Sequence, residues 1–364
     1  MLAISPSSLD LRIDLDSAVV AVGRGPADIA SGEGSVWVAN RRDGTISKID
    51  PARDRVTMTI HLGYRPAGLA VGAGAVWATT RRVSATAGAT GLLAFDYRGQ
   101  IFTSWPDGTH RSQLTHARWP LQDISPAWSP DGRRIIFIHG RHGAQSGFKP
   151  LGLSVMNADG SQQRRIPHTS DAGGAPAWSP DGTRIAFSRH PDPGYIYTIA
   201  PDGTHHTRIA HQPPNSWDPA WSRDGIQIAF DTNAHTLNGY IVNIYTIRLD
   251  GTHLRRITNI PSQYPAWSPD GRWIVFTRYT PDGIFLGEFI APASGGPGVR
   301  LLPPTNTYHD TSGRSVASWS PDGTAIAVSG QADASPPAIY IANADGSGLS
   351  YVTRGNNATW RPVP

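Results

Sequence analysis

One phrase returns along the chain in fixed register: Pro126-Ala-Trp-Ser-Pro-Asp-Gly, Pro176-Ala-Trp-Ser-Pro-Asp-Gly, Pro219-Ala-Trp-Ser-Arg-Asp-Gly, Pro265-Ala-Trp-Ser-Pro-Asp-Gly and Ala317-Ser-Trp-Ser-Pro-Asp-Gly. Behind each, at one offset, stands an apolar pair: Ile135/Phe137, Ile185/Phe187, Ile228/Phe230, Ile274/Phe276 and Ile326/Val328. The copies begin at residues 126, 176, 219, 265 and 317, steps of roughly 40–50 residues that match the length of a propeller blade. No single repeat can stand alone, because its apolar faces need a neighbour on each side.

Within a repeat, Ser-Pro-Asp-Gly reads as a type I turn. Pro presets φ at the second position, Asp bonds its own backbone at the third and Gly relaxes the fourth. A second unit follows, anchored on Asp-Gly at Asp107, Asp159, Asp202, Asp250 and Asp345. An aliphatic residue precedes each turn (Ile101, Leu153, Ile196, Ile244, Ile339) and another follows it (Leu114, Ile166, Ile209, Ile257, Val352). Two hairpins in succession predict a four-stranded antiparallel meander. A divergent copy between Phe285 and Leu301 carries Ser294-Gly-Gly in place of Asp-Gly.

The N-terminal part uses a related pattern. Pro26 and Pro66, set on the Pro of the five repeats, bring Trp37 and Trp77 into the column of Phe137, which makes seven first hairpins. Gly25-Pro-Ala-Asp-Ile-Ala with Val36-Trp-Val-Ala-Asn40, Gly44-Thr-Ile-Ser-Lys-Ile-Asp50 and Arg55-Val-Thr-Met-Thr-Ile60 resembles the repeat of YVTN and virginiamycin B lyase-type propellers. The later repeats, from about Thr90 onward, resemble the TolB family and its WD40-like Trp-Ser-Pro-Asp-Gly repeat. Both resemblances imply a β-propeller. Between Pro66 and Pro126 two segments compete for a third strand, Gly91-Leu-Leu-Ala-Phe-Asp96 and Gln100-Ile-Phe-Thr-Ser-Trp105, with Arg81–Gly91 read as a loop.

The expected fold is all-β: a single propeller domain over residues 1–364, with YVTN-like blades and a seam over 9–125 and TolB-like blades over 126–364. Leu9–Val22 matches the second half of a blade, and Ala358-Thr-Trp360 the innermost strand of one. A ring that shuts leaves no open edge, so these ends are expected to join in one composite closing blade, giving eight blades. With the N-terminal strands outside the ring the count is seven.

Composition narrows the chemistry. There is no cysteine, hence no disulfide, thiolate metal site or Cys nucleophile. Met1–Val20 lacks the charged start and apolar run of a signal peptide, and no stretch approaches the ~18 apolar residues of a membrane span. The TolB resemblance implies a periplasmic or extracellular setting; the residues themselves assign no compartment. Net charge is +4, and Lys48 and Lys149 are the only lysines. Arg165, Arg208 and Arg256 recur at one offset on the outermost strand, where arginine guards an exposed edge, so nucleic acid is not expected as a partner. Doublets Arg41-Arg42 and Arg81-Arg82 read as loop-entry charges.

The candidate constellations each have a structural reading. Glu33 and Glu288 are the only glutamates, and most turn aspartates are placed by the repeat. His110, His205 and His253 recur on equivalent turns and so are spread around a rim. His139, His142 and His168, and His205-His206 with His211, are denser sets that suit zinc or base chemistry, yet no His-Glu-x-x-His spacing occurs. No Gly-x-Ser-x-Gly elbow is present. Glu33 sits in a repeat turn without an assignable His, so the lyase resemblance concerns the scaffold rather than an active site. Trp128, Trp178, Trp221, Trp267 and Trp319 read as packing between blades rather than a ligand cage. No catalytic or cofactor residue is assigned.

The expected function is therefore a monomeric, non-catalytic binding propeller. Its partner, a protein or peptide before a glycan, would meet the central funnel and the unequal loops Gly140–Pro150, Asp231–Gly239, Pro303–Arg314 and Gly330–Pro337. The alternative is a propeller lyase, lactonase or hydrolase using Asp, His and a divalent cation at the channel mouth.

Overall fold

The computed structural model of the chain describes residues 13–15, 18–23, 25–41, 45–61, 66–72, 75–80, 91–143, 147–189, 194–233, 242–282, 284–296, 298–302, 316–330 and 337–362. Every regular element described is a β-strand. Among the described residues no helix is long and apolar enough to cross a membrane. The chain divides into two compact units, Met1–Val83 and Ser84–Pro364.

In the first unit β1 (Ile13–Leu15) pairs with β2 (Ala18–Val20). Strands β3 (Pro26–Gly32), β4 (Ser35–Asn40), β5 (Thr45–Asp50) and β6 (Arg55–His61) form a meander, and β7 (Pro66–Gly72) pairs with β8 (Ala75–Thr80). Pro26 and Pro66 each open a first strand, where a missing N–H costs no ladder bond. The Asp28 carboxylate accepts the Leu69 amide at 2.6 Å and ties β3 to β7. Trp37 is buried but Trp77 is 63% exposed, so the two residues that share a sequence column do not share an environment.

Among the described residues the second unit contains six four-stranded sheets. The first holds β9 (Leu93–Tyr97), β10 (Gln100–Ser104) and β11 (Ser112–Gln113). Then come β12 (Leu121–Trp128), β13 (Arg134–Gly143), β14 (Gly147–Asn157) and β15 (Arg164–Arg165), followed by β16 (Ala172–Trp178), β17 (Ile185–Arg189), β18 (Tyr195–Ile199) and β19 (Thr207–Arg208). The fourth is β20 (Ser216–Trp221), β21 (Gln227–Thr232), β22 (Asn243–Arg248) and β23 (Arg255–Arg256). The fifth is β24 (Ser262–Trp267), β25 (Trp273–Tyr279), β26 (Phe285–Pro292) and β27 (Val299–Leu302). The sixth is β28 (Ala317–Trp319), β29 (Ala325–Gly330), β30 (Ala338–Asn343) and β31 (Ser350–Arg354); β32 (Asn356–Trp360) then returns to complete the first sheet.

That return corrects the expected closure. Trp360 pairs with Leu93 and Thr359 with Ala94, whereas Ile13–Leu15 pairs with Ala18–Val20; residues 9–12 lie outside the described residues. The seam explains why. Both competing segments are strands, and the first is a second blade strand, with Phe95 fully buried like Phe187 and Phe230. Among the described residues it has no inner neighbour from its own repeat, and Asn356–Trp360 takes that place. The composite closing blade exists, but it joins the C-terminus to the start of the second unit. Among the described residues the ring it closes has six blades, where eight, or seven, were expected.

Packing gives the same count. One buried cluster lies at each blade junction. Ile136, Leu153 and Val155 meet Trp178 and Phe187, and the last cluster sets Ala325, Ile339 and Ile341 against Leu93, Phe95 and Trp360. Each fully buried Phe contributes about 1.5–3 kcal/mol relative to an exposed one. The Trp column adds directional bonds across the same junctions. Trp178, Trp221 and Trp267 donate their indole N–H groups to the carbonyls of Ala127, Ala177 and Ala220 at 3.3, 3.1 and 3.2 Å. Each acceptor immediately precedes the Trp of the previous blade. The aromatic column is thus structural, as its periodicity implied.

Candidate binding face

Antiparallel order places the Trp-Ser-Pro-Asp-Gly and Asp-Gly turns of the second unit at one end of the blades. The connections between second and third strands, and between successive blades, gather at the other end. The regular end is built as the repeat predicts. Ser129, Ser179, Ser222, Ser268 and Ser320 donate to Asp131, Asp181, Asp224, Asp270 and Asp322 at 2.5–2.6 Å. Each Asp also accepts a backbone N–H two residues on. At Asp131, Asp181 and Asp224 the Ser hydroxyl first, with the backbone N–H, holds the carboxyl below its ordinary value. These aspartates stabilise turns. His110, His205 and His253 share one left-handed conformation, φ 53°, 54° and 56°, on separate blades, which confirms their dispersal around a rim.

The opposite end carries the departures from symmetry. Of the four loops expected to recognise a partner, residues 234–239, 303–314 and 331–336 lie outside the described residues. Of Gly140–Pro150, residues 140–143 and 147–150 continue the paired strands β13 and β14 rather than forming an irregular loop, and residues 144–146 lie outside the described residues. Strand β13 has 10 residues and β14 has 11, against 5 each for β17 and β18. The register runs on through Gly140 opposite Pro150, Arg141 opposite Lys149, His142 opposite Phe148 and Gly143 opposite Gly147. Gly140 permits this, because a Cβ there would overlap the Phe148 ring.

The extension is braced from the preceding connection. The His142 amide donates to the Pro120 carbonyl at 2.8 Å, and the His142 ring lies 5.1 Å from that of Trp119. Trp119 is 71% exposed. Arg118, Arg141 and Lys149 are also exposed around this hairpin. Arg141 and Lys149 stand directly opposite each other, an arrangement of like charges that destabilises a strand pair. A solvent-facing indole is therefore held against His142 on the extended part of this hairpin, where Arg118, Arg141 and Lys149 are also exposed.

Below the tip, His139 Nδ1 meets the Asp123 carboxylate at 2.7 Å, with Asp123 buried. On the next blade Arg189 Nε binds Asp171 at 2.5 Å and lies over the Tyr197 ring, on which His206 stacks at 4.9 Å. Burial, and after it the Arg189 charge, pushes the His206 imidazole below its ordinary value. His168 and His211 both have left-handed backbones, φ 61° and 54°, in the connections between blades. The dense histidine sets are thus split among a carboxylate pair, an aromatic stack and loop positions. Among the described residues no three of His, Cys, Asp or Glu gather closely enough to hold a metal ion.

Glu288 is fully buried, with the Thr277 hydroxyl 3.1 Å from both of its carboxylate oxygens. Beside it Arg278 lies over the Phe289 ring at 4.1 Å, and burial lowers its pKa. The sequence marks Glu288 as one of two glutamates, and its burial is set by the packing of β25 against β26. Glu33 has φ 53° in a turn, as its repeat position implies. Arg165, Arg208 and Arg256 are exposed on two-residue outer strands. Arg41 follows β4; Arg42, Arg81 and Arg82 lie outside the described residues.

Residues 96–238 match a family model described as the TolB beta propeller domain. No curated protein matches the sequence at a significant level. Among solved structures, TolB from Acinetobacter baumannii is similar with a TM-score of 0.61 at 15% identity, covering 92% of this chain and 82% of that one. A protein assigned as TolB from Agrobacterium tumefaciens gives 0.56 at 18% identity, covering 74% and 91%. A chain of a nidogen/laminin complex gives 0.58 at 12% identity, covering 75% and 98%.

Proposed function

We propose that this protein, whose residues 96–238 match a family model described as the TolB beta propeller domain, is a non-catalytic binding propeller that docks an acidic segment of a protein or peptide on the β13–β14 hairpin. The observation that carries the reading is the pairing of exposed Trp119, stacked on His142, with the facing cations Arg141 and Lys149. Trp and Arg dominate the energetics of protein interfaces, and two like charges held across a hairpin are relieved when an anionic partner lies over them. The similarity to TolB and to a chain of a nidogen/laminin complex supports a binding role through the fold alone.

The test is affinity capture with the intact protein, its Trp119→Ala variant and an Arg141→Glu/Lys149→Glu variant. Partners retained by the native hairpin should be lost by both variants, and the retained set should be protein with acidic stretches. An unchanged partner set would remove the hairpin from the function. Retention of glycans or single-stranded oligonucleotides instead would reassign the partner class.

A further inference from the structure

The regular end of the blades contains one place where neighbouring repeats both depart from their pattern. Arg223 stands where Pro130, Pro180, Pro269 and Pro321 stand in the sister turns, and Ser294 stands where Asp107, Asp159, Asp202, Asp250 and Asp345 stand. The second equivalence is geometric as well. The Gly295 amide donates to the Pro292 carbonyl as the Gly251 amide donates to Arg248, and Gly295 has φ 80° beside 82° at Gly251. Both exchanges shift the charge toward positive, the first by adding a guanidinium and the second by deleting a carboxylate.

The two departures face one cleft of about 560 Å³ between the fourth and fifth blades, lined by Arg223, Arg248, His253, Arg255, Trp267 and Ser294 among others. Among the described residues Arg223 and Arg255 make no side-chain hydrogen bond or ion pair, while Arg248, also without a side-chain hydrogen bond, acts by its charge on Asp224 and Asp250. The carboxylates that also line it are committed to their own turns: Asp224 Oδ1 accepts from Ser222 and Ile226, and Asp270 Oδ1 from Ser268 and Arg272. In the cleft between the second and third blades, Arg134 covers the ring of Trp178 at 4.9 Å. Gln227 holds the matching position here, so no guanidinium covers Trp267 among the described residues.

We propose that this cleft binds a phosphate monoester on a polar body of sugar or nucleoside size. Three guanidinium groups supplied from two turns and an outer strand suit a tetrahedral group with several acceptor oxygens, whereas one planar carboxylate engages a single bidentate arginine. The volume suits a small ligand, and the half-buried Trp267, which lines the cleft, offers a surface for its ring. The site lies at the opposite end of the blades from the β13–β14 hairpin and does not depend on partner docking there.

Calorimetric titration of the purified protein with glucose 6-phosphate, adenosine monophosphate and inorganic phosphate tests this. At least one phosphomonoester should bind saturably and more tightly than inorganic phosphate, while glucose and adenosine should not bind. Arg223→Pro and Ser294→Asp restore the repeat's own residues and so preserve the turns; each should weaken binding by about tenfold. The Arg141→Glu/Lys149→Glu variant should bind as the native protein does. Absence of saturable binding by all three phosphates, or binding undiminished in the Arg223→Pro/Ser294→Asp double variant, would overturn the assignment.

Discussion

Trp360 donates its indole N–H to the backbone carbonyl of Ser318 at 3.1 Å, repeating the bond that Trp221 makes to Ala177 one step round the ring. Residues at the C-terminus thereby take a regular place in a column built elsewhere by the Trp-Ser-Pro-Asp-Gly repeat. The next contact continues it. Arg361 Nε donates to the Gly132 carbonyl at 2.9 Å, and its guanidinium lies over Trp128.

The indole bond and the indole volume are separable. Trp221→Phe keeps most of the buried surface but removes the donor to Ala177, and should cost about 1 kcal/mol. Trp221→Ala should cost about 3–5 kcal/mol. Trp77→Ala, at an exposed position, should stay within about 0.5 kcal/mol of the native protein. Denaturant unfolding of the three variants checks the order.

Acid stability should follow the turn aspartates. The folded-state pKa of Asp131, Asp181 and Asp224 lies below the unfolded value, so their contribution is complete above the unfolded pKa of about 3.9 and is lost as pH falls through the folded value. Unfolding midpoints measured downward from about pH 6 should drop most steeply below about pH 4. A combined Asp131→Asn/Asp181→Asn/Asp224→Asn variant should be less stable at neutral pH and show a shallower acid slope.

His206 works in a higher window. Its folded pKa is depressed, so the folded protein favours the neutral ring. The associated stability is complete above the unfolded pKa of about 6.5 and is lost as pH falls from there through the folded value. Leu254 and Leu349 hold the equivalent position in sister repeats, so His206→Leu should fold and should flatten this part of the pH profile. A slope unchanged by the substitution would show that another group is responsible.

The hairpin tip should trade stability for binding. Arg141→Thr removes the like-charge opposition to Lys149, so stability should hold or rise by about 0.2–1 kcal/mol while partner capture falls. The gain should shrink with added salt, because the charges are exposed. Thermal melts at low and high ionic strength measure it.

Much of this fold is legible in the sequence because turn chemistry is local. Ser-Pro-Asp-Gly and Asp-Gly bond within themselves, so the hairpins, the Trp column and the dispersal of His110, His205 and His253 follow from spacing. Closure is a long-range property. Leu9–Val22 and Leu93–Tyr97 both look like strands in need of a partner, and only the three-dimensional pairing selects Leu93–Tyr97 for Asn356–Trp360. Gly140–Pro150 looks irregular because Gly140, Gly143 and Gly147 mimic a loop, yet Gly140 is there to let Phe148 cross the strand. The Arg223 and Ser294 departures are visible as breaks in the repeat, but their meeting across one blade junction is not.

The last strand, Asn356–Trp360, shuts the ring. Deleting Asn356–Pro364 removes the inner strand beside Leu93–Tyr97 and exposes the cluster around Phe95 and Ile341. Thermal unfolding of that truncated protein should show loss of the cooperative transition, or a midpoint lowered by many degrees. A transition matching the full-length protein in midpoint and steepness would contradict closure through Trp360.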